Sequence, residues 1–532
     1  MSEYSLISSM KEMSTDSALK KTDHVRIRDS NNGSYAGNQF SIDTGSLTSS
    51  NDMFALSEAH MEIPYTITMT GVALIGKAHF LMALKHGFYS KVAGIAVKLD
   101  NQALCTFTNL SNLYTHFNVL STMNESDMAT VGDLIGFHQD GISSYIHTTA
   151  DNIRGVGECN SSTGSSLASD AVDSSGEYYQ LAANKGFLKR AQQIGYHEAD
   201  ASLAPFVKAG RASETFKSNM TIAGTTITFN VCAIIRLSDI HDVFKTMPIM
   251  RNPNLNLSVQ FHSCNGAITV DDTNKWQLAG LAMNPVNNFC SWQLKALDDN
   301  VITDATDCVI TETMKNTSRS IVELVIPRIQ MSDEAQMSYL NDMGSEHVVR
   351  YTDIHSNTET FASPAVSWQV NSALSGMTGF LMLVRLGSNG AVLTANNGAV
   401  LSTDHSPFTS APNYLCSSQA ISNLQVYLSN RPVFESPIQY NYDMYLDMMR
   451  AKSINGFSSN AGISSGLISR RDWEEGNHGY IYVKLPRSAN IHADQSLQVR
   501  FTNDNIAKVT KLDLLGFIEV EKSYTIDVNT GK

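Results

Sequence analysis

The feature that most constrains this 532-residue chain is alternation. Tyr65, Ile67 and Met69 interleave with three threonines, and Ile227, Phe229, Val231, Ala233, Ile235 and Leu237 form a longer run of the same kind. Val366, Trp368 and Val370 repeat it, as do Ile481, Val483 and Leu485, then Tyr524, Ile526 and Val528. A period of two puts one face of each segment on a core and the other outward, as antiparallel strands require. Clusters of Gly, Asn, Asp and Ser punctuate the runs at turn spacing. The chain is therefore expected to be mainly β. Helical spacing is confined to short stretches. Ser238 stands as an N-cap before Ile240, Val243, Phe244 and Met247, a run that Pro248 ends, and Tyr442, Tyr445, Leu446 and Met449 share one face.

Charge narrows the class further. Charged residues are 17% of the chain, against about a quarter in ordinary soluble proteins. The formal net charge is −13, so there is no cation excess to neutralise nucleic-acid phosphates. So few charges also argue against disorder or a coiled coil. A long chain with scarce charge is expected to cover much of its surface in its working state. Its seven cysteines, at 105, 159, 232, 264, 290, 308 and 416, contain no CxxC and suit a reducing compartment. No signal peptide is read in the first 50 residues, and apolar runs such as 379–384 are far short of the ~20 residues of a membrane span. Synthesis in the cytosol is expected, and a membrane is not an expected partner.

Two internal matches suggest duplication. Ile95-Ala-Val-Lys-Leu-Asp-Asn101 parallels Leu424-Gln-Val-Tyr-Leu-Ser-Asn430, and each precedes an aromatic-bearing helical segment. Leu257-Ser-Val-Gln-Phe261 parallels Leu497-Gln-Val-Arg-Phe501 in the same order. The offsets, 329 and 240, place extra sequence in the first copy, assigned to loops over 121–215 with some helix around Tyr178–Ile194. The expected division is an extended arm over 1–50, a first β domain over 51–300 and a second over 301–532, with the break near Asp298–Asp307. Twelve serines and few large apolar residues give the arm its character, and it is either a flexible leader or a segment that orders on a partner.

Catalytic motifs are weak. Gly462-Ile-Ser-Ser-Gly466 matches the GxSxG form, but Ser464 lies in a Ser/Gly-rich loop without the strand and helix a nucleophile elbow needs. Asp472, Glu474, Glu475 and His478 could compose a metal loop or an acid/base pair, although their setting reads as a solvated turn. No HExxH set or phosphate-cradling glycine loop occurs. Lys20, Lys21, Arg26 and Arg28 form a basic cluster interrupted by Asp16, Asp23 and Asp29, which favours a solvated segment over nucleic-acid binding. The chain is not expected to be an enzyme, and no catalytic, cofactor or metal residues are assigned.

Three stretches carry a family resemblance. They are Phe80–Tyr89 followed by Ile95–Leu99, the helix at Leu237–Pro248, and Leu512-Asp-Leu-Leu-Gly-Phe-Ile-Glu-Val-Glu-Lys522 leading to Ile526–Gly531. Together they resemble the double jelly-roll major capsid proteins of Polinton-like viruses, adintoviruses and virophages, over roughly residues 55–531. In that family the helix precedes the last strand of the first domain, and 512–522 corresponds to the terminal strand. The resemblance implies two tandem eight-stranded jelly rolls, homotrimers forming pseudo-hexameric capsomers, and an icosahedral shell around double-stranded DNA. It further implies neighbouring capsomers, a single jelly-roll penton protein and minor or cement proteins as partners, location in the virion capsid, and no sequence-specific nucleic-acid binding. A non-viral β-sandwich protein recognising carbohydrate or protein ligands is the competing reading. It predicts a secretory route.

Overall fold

A computed structural model describes residues 19–35, 38–49, 52–71, 80–106, 109–139, 226–270, 276–283, 289–296, 308–314, 321–344, 346–386, 421–452, 479–486, 493–504 and 512–529. Short pieces within 186–197, at 220–223 and within 466–473 are also described. Eight strands form the frame of the first half: β1 (Leu19–Arg28), β2 (Gln39–Asp43), β3 (His60–Thr70), β4 (Val92–Leu99), β5 (Gln102–Cys105), β6 (Thr226–Arg236), β7 (Leu255–Phe261) and β8 (Glu323–Met331). Eight more form the second: β9 (His347–Phe361), β10 (Ala365–Leu374), β11 (Met377–Leu386), β12 (Ile421–Leu428), β13 (Arg431–Pro432), β14 (Ile481–Lys484), β15 (Gln495–Asn503) and β16 (Leu512–Ile526).

The pairing in each half runs from the outside in. In the second half β9 pairs with β16, β10 with β15, β11 with β14 and β12 with β13, all antiparallel. The result is two four-stranded sheets, ordered β9-β16-β11-β14 and β10-β15-β12-β13. The first half repeats the scheme, with β1 on β8, β2 on β7, β3 on β6 and β4 on β5. That nested connectivity is the jelly roll, and the chain carries it twice. Strands of the first roll beyond the frame extend its larger sheet, among them the hairpin Cys264–Val270/Trp276–Met283.

The alternating residues point where their period requires. Ile227, Phe229, Val231, Ala233, Ile235 and Leu237 are all buried, as are Val366, Trp368 and Val370. In the second roll the two sheets meet closely where Trp368 on β10 lies over Gly516 on β16. A Cβ at 516 would come within 2.6 Å of the indole, so only glycine admits that contact.

The duplication is present strand for strand. Ile95–Leu99 and Leu424–Leu428 lie on β4 and β12, the fourth strand of each roll. Each enters its hairpin through two left-handed residues, Asp100 and Asn101 in one, Ser429 and Asn430 in the other. Each hairpin is followed by a helix, α1 (Ser111–Thr122) in one roll and α6 (Tyr442–Lys452) in the other. Leu257–Phe261 and Leu497–Phe501 likewise both lie on the seventh strand. The register differs from the sequence match: Leu255 faces Leu99, and Leu497 faces Leu428. The equivalent of Leu497 is thus Leu255 and not Leu257. A two-residue slip keeps every side chain on its face, so strand alternation cannot detect it.

The expected domain limits need correction. Residues 19–28 and 39–43 are framing strands of the first roll, not part of an extended arm; Val25 and Ile27 pair with Ile326 and Leu324. Their polar sequence reflects an edge position, with one face of β1 in solvent. The first roll also ends later than residue 300, because β8 closes it at Met331. The helix α5 (Asp333–Met343), capped by Ser332, then leads to β9. The longest stretch of the first copy without a framing strand lies between α1 and β6. It opens with α2 (Glu125–Ile135), while most of 140–219 lies outside the described residues; of the expected helix around 178–194, only 186, 189 and 190 are described, and they are helical.

The two helix expectations are also modified. The run from Leu237 forms two turns, α3 (Leu237–Ile240) and α4 (Val243–Thr246), with Ser238 inside the first and not capping it. His241 between them is extended. This segment precedes β7, so the last strand of the first roll is the more distant β8. In α6 the buried face is Met444, Tyr445, Met448 and Met449, while Tyr442 is 44% exposed.

Candidate functional site

The largest concentration of buried polar chemistry between the rolls is their seam. Helix α1 of the first roll packs on β14 and β16 of the second, with Phe117 against Tyr480 at 5.0 Å and Tyr114 against Phe517 at 5.9 Å between ring centres. Apolar contact brings Glu519 of β16 into the interface, where its carboxylate needs donors. It has three. Tyr114 donates from across the seam at 2.6 Å, Tyr482 donates at 2.7 Å, and Lys452 of α6 forms an ion pair. The Lys452 ammonium also lies 4.3 Å from the centre of the Tyr482 ring. Burial, reinforced by the carboxylate, holds both phenols far above their ordinary range. Gly379 completes the arrangement, since a Cβ there would collide with the Tyr482 hydroxyl and Glu519.

A second buried carboxylate, Asp353 on β9, does the same work farther along. His241 donates to it across the seam at 3.1 Å, and Lys522 forms an ion pair with its other oxygen. Burial acts to raise the Asp353 carboxyl, but the hydrogen bonds from His241 and Lys522 outweigh it and hold the group at about 2. The backbone joins in. Asp242 accepts from the Thr352 amide at 3.0 Å, Tyr351 donates to the Leu104 carbonyl at 2.7 Å, and the Arg251 amide donates to Val528 at 3.0 Å. These bonds explain the break between α3 and α4: His241 and Asp242 turn their side chains toward β9. A polar cavity of about 180 Å³ lies between the two carboxylate clusters, lined by Tyr114, Asn118, His241, Asp242, Lys452 and Glu519 among others.

Cys105, His241 and Asp353 place their donor atoms within 4.8 Å of one another, a spacing that could suit a metal. The donor chemistry fits it poorly. His241 Nδ1 accepts the Val243 amide at 3.2 Å, which leaves the imidazole proton on Nε2, donated to Asp353. A metal on Nε2 would move that proton to Nδ1, facing an N–H. Burial, with Asp353 nearby, pushes the Cys105 thiol well up, and its Sγ donates to the Thr106 carbonyl at 3.2 Å. With Lys522 on Asp353, the group reads as a satisfied hydrogen-bond network.

Ser464, Asp472, Glu474, Glu475 and His478 all lie outside the described residues. Their neighbours Gly466 and Leu467 donate backbone bonds to Met123 and Leu120, and Trp473 stacks on Tyr440 at 3.9 Å. The basic cluster at 20–28 is matched by acids: Arg26 bonds Glu62 and Glu323, and Arg328 bonds Asp23. No sequence signal announced the seam. Its members are separated by up to 405 positions and share no spacing.

Fold and seam together define a double jelly-roll protein, two sandwiches fused through buried, internally paired polar groups. Among solved structures, the chain is similar to one in the cryo-EM structure of the Sputnik virophage, at 12% identity over 97% of this chain and 89% of that one, with a TM-score of 0.49. The Faustovirus major capsid protein is similar at 8% identity over 96% and 91%, with a TM-score of 0.46. For the mavirus major capsid protein the values are 10%, 95%, 90% and 0.45. No protein-family model matches the chain, and no curated protein sequence does either.

Proposed function

We propose that this chain is a major capsid protein, three copies of which form a pseudo-hexameric capsomer that tiles an icosahedral shell around a double-stranded DNA genome. The observation that carries the reading is the nested eight-strand connectivity, present twice in one chain and fused by a satisfied seam. Two rigidly joined lobes per chain give six similar lobes per trimer, the shape a hexagonal lattice needs. The scarcity of charge fits surfaces that meet other sandwiches, because obligate interfaces are more apolar than transient ones. The role is structural, without turnover or cofactor. Partners are further copies of the chain, neighbouring capsomers, a penton protein and minor or cement proteins, and the working location is the virion.

Size-exclusion chromatography with light scattering tests it. A stable species near three times 58.2 kDa is expected, with hexagonal particles in negative stain. A monomer at micromolar concentration would overturn the proposal. Because each copy carries −13, capsomers repel one another, and shell assembly is expected to rise with salt. Equal assembly at all ionic strengths would remove that part of the account.

A further inference from the structure

Away from the seam, the first roll buries three histidines together. The segment 85–91 follows the strand Phe80–Leu84 and is buried throughout. Within it, His86 stacks on His116 of α1, with ring centres 3.8 Å apart and planes 8° apart. Phe289 lies 5.4 Å from His86, and Phe137 meets His116 edge-on at 5.0 Å. His262, just after β7, lies 4.9 Å from Phe289, and all three imidazoles are fully buried. Tyr89 and His116 share a hydrogen bond at 2.8 Å, and His262 bonds Asn112 at 3.0 Å. Neither ring nitrogen of His86 has a hydrogen-bond partner among the described residues. Helix α1 is thereby divided between the rolls. Asn112 and His116, one helical turn apart, serve the first, while Tyr114 and Phe117 meet Glu519, Tyr480 and Tyr482 of the second.

We propose that the His86–His116 stack is an acid sensor: it holds α1 while its rings are neutral and releases α1 from the first roll, and with it the seam, when a proton enters. The surroundings of His86 are not built to receive an imidazolium. Lys85 and Arg190 bring positive charge to it, and His116 and His262 are bases that gain charge in acid. Arg190 is fixed there by its bonds to the Leu84 and His138 carbonyls. Among the described residues, no carboxylate is one of the groups acting on His86. The acids of the neighbouring elements are already paired: Glu312 with Lys91 at 2.9 Å, Asp133 with His138 at 2.6 Å and Asp239 with Arg236 at 2.8 Å. A charged ring at 86 loses its hydration, faces a second basic ring at 3.8 Å and finds no acceptor. Parting α1 from 85–91 admits water to it. Burial first, then the basic neighbours, holds His86 well below its ordinary 6.5. The unfolded chain therefore takes up the proton at a higher pH than the folded one. The stack's contribution is complete above that ordinary value and is lost as pH falls below it. Asp353, held at about 2, responds only in stronger acid.

The test is urea denaturation of the full chain, at one fixed concentration, at about pH 7.5 and about pH 5.5. His86→Phe keeps a ring against His116 and cannot titrate. Between the two pH values the folding constant of the wild type should fall about tenfold more than that of the variant, the effect of one proton that only the unfolded state takes up. His60, His138 and His355 are also held low, so the readout is the difference between the two profiles and not the slope of either. Equal losses in the two proteins would overturn the proposal. Amide hydrogen exchange of the wild type, corrected for intrinsic rates, decides the matter even if the variant fails to fold. Protection over 85–91 and 111–122 should drop at the lower pH while β10 and β15 of the second roll stay protected. Unchanged protection in α1, or a uniform loss across both rolls, would overturn the proposal as well.

Discussion

The two rolls share a strand plan and differ in what they hang on it. The second is shorter after its helix, where 453–480 joins α6 to β14 and 504–511 joins β15 to β16, although its link between β11 and β12, 387–420, is longer than the 71–91 link of the first. The first carries a long insertion between α1 and β6 and another excursion between β7 and β8. It also buries an ion pair, Lys91 with Glu312, inside its own sandwich, while the buried charges around Glu519 and Asp353 face the seam. The jelly roll itself therefore does not require internal charge. The first roll needs it where added strands crowd the sandwich, and the second uses it to grip its neighbour.

That comparison can be broken from either side. The largest effects should come from emptying each core in its own idiom. Lys91→Met leaves Glu312 buried without its cation and should lower stability by about 3–5 kcal/mol. Trp368→Ala, which removes the largest fully buried side chain of β10, should act by a similar ~3–5 kcal/mol through the cavity it leaves. Urea denaturation checks both. If Lys91→Met proves neutral, internal charge is dispensable in the first roll as well.

Seam variants should act less. Tyr114→Phe removes one donor to the buried Glu519 and should cost about 1.5–3 kcal/mol, read as a loss of coupling between the unfolding of the rolls. Acid probes the other carboxylate. Asp353 titrates at about 2 when folded against an ordinary 3.8, so its contribution is complete above pH 4 and is lost as pH falls from 4 toward 2. The loss should be roughly 2 kcal/mol and should vanish in Asp353→Asn, whose stability is lower at neutral pH but flatter across that window. A wild-type profile as flat as the variant's would show that the His241 and Lys522 bonds do not persist in solution. The smallest effect should be matched in the two rolls. Asn101→Ala and Asn430→Ala each remove the short polar side chain that makes asparagine tolerant of the left-handed conformation and should each cost about 1 kcal/mol by thermal unfolding. Unequal values would mean that the two hairpins are not structural equivalents.

Much of the frame was legible. Alternation located β3, β6, β10, β14 and β16 because strands with one buried face must repeat every second residue. The turn residues in Ile95–Asn101 and Leu424–Asn430 carried the duplication, since left-handed positions restrict side-chain choice more tightly than strand positions do. What misled was polarity at an edge. Leu19–Arg28 reads as a solvated leader because β1 pairs with only one strand among the described residues, and that partner, Glu323–Met331, is some three hundred residues away. The same distance hid the first roll's true end. The seam was illegible for a related reason: Tyr114 and Glu519, or His241 and Asp353, are ordinary residues in their own segments and become a site only when two rolls meet.

By itself, then, the sequence determined the class of structure, the repetition of its unit and the places where strands turn, because these follow from local periodicity and backbone conformation. Only the tertiary structure decided which strands pair, where one roll ends, and which polar groups are buried together. Those outcomes depend on long-range burial, where a carboxylate must find donors from whatever element the core has brought beside it.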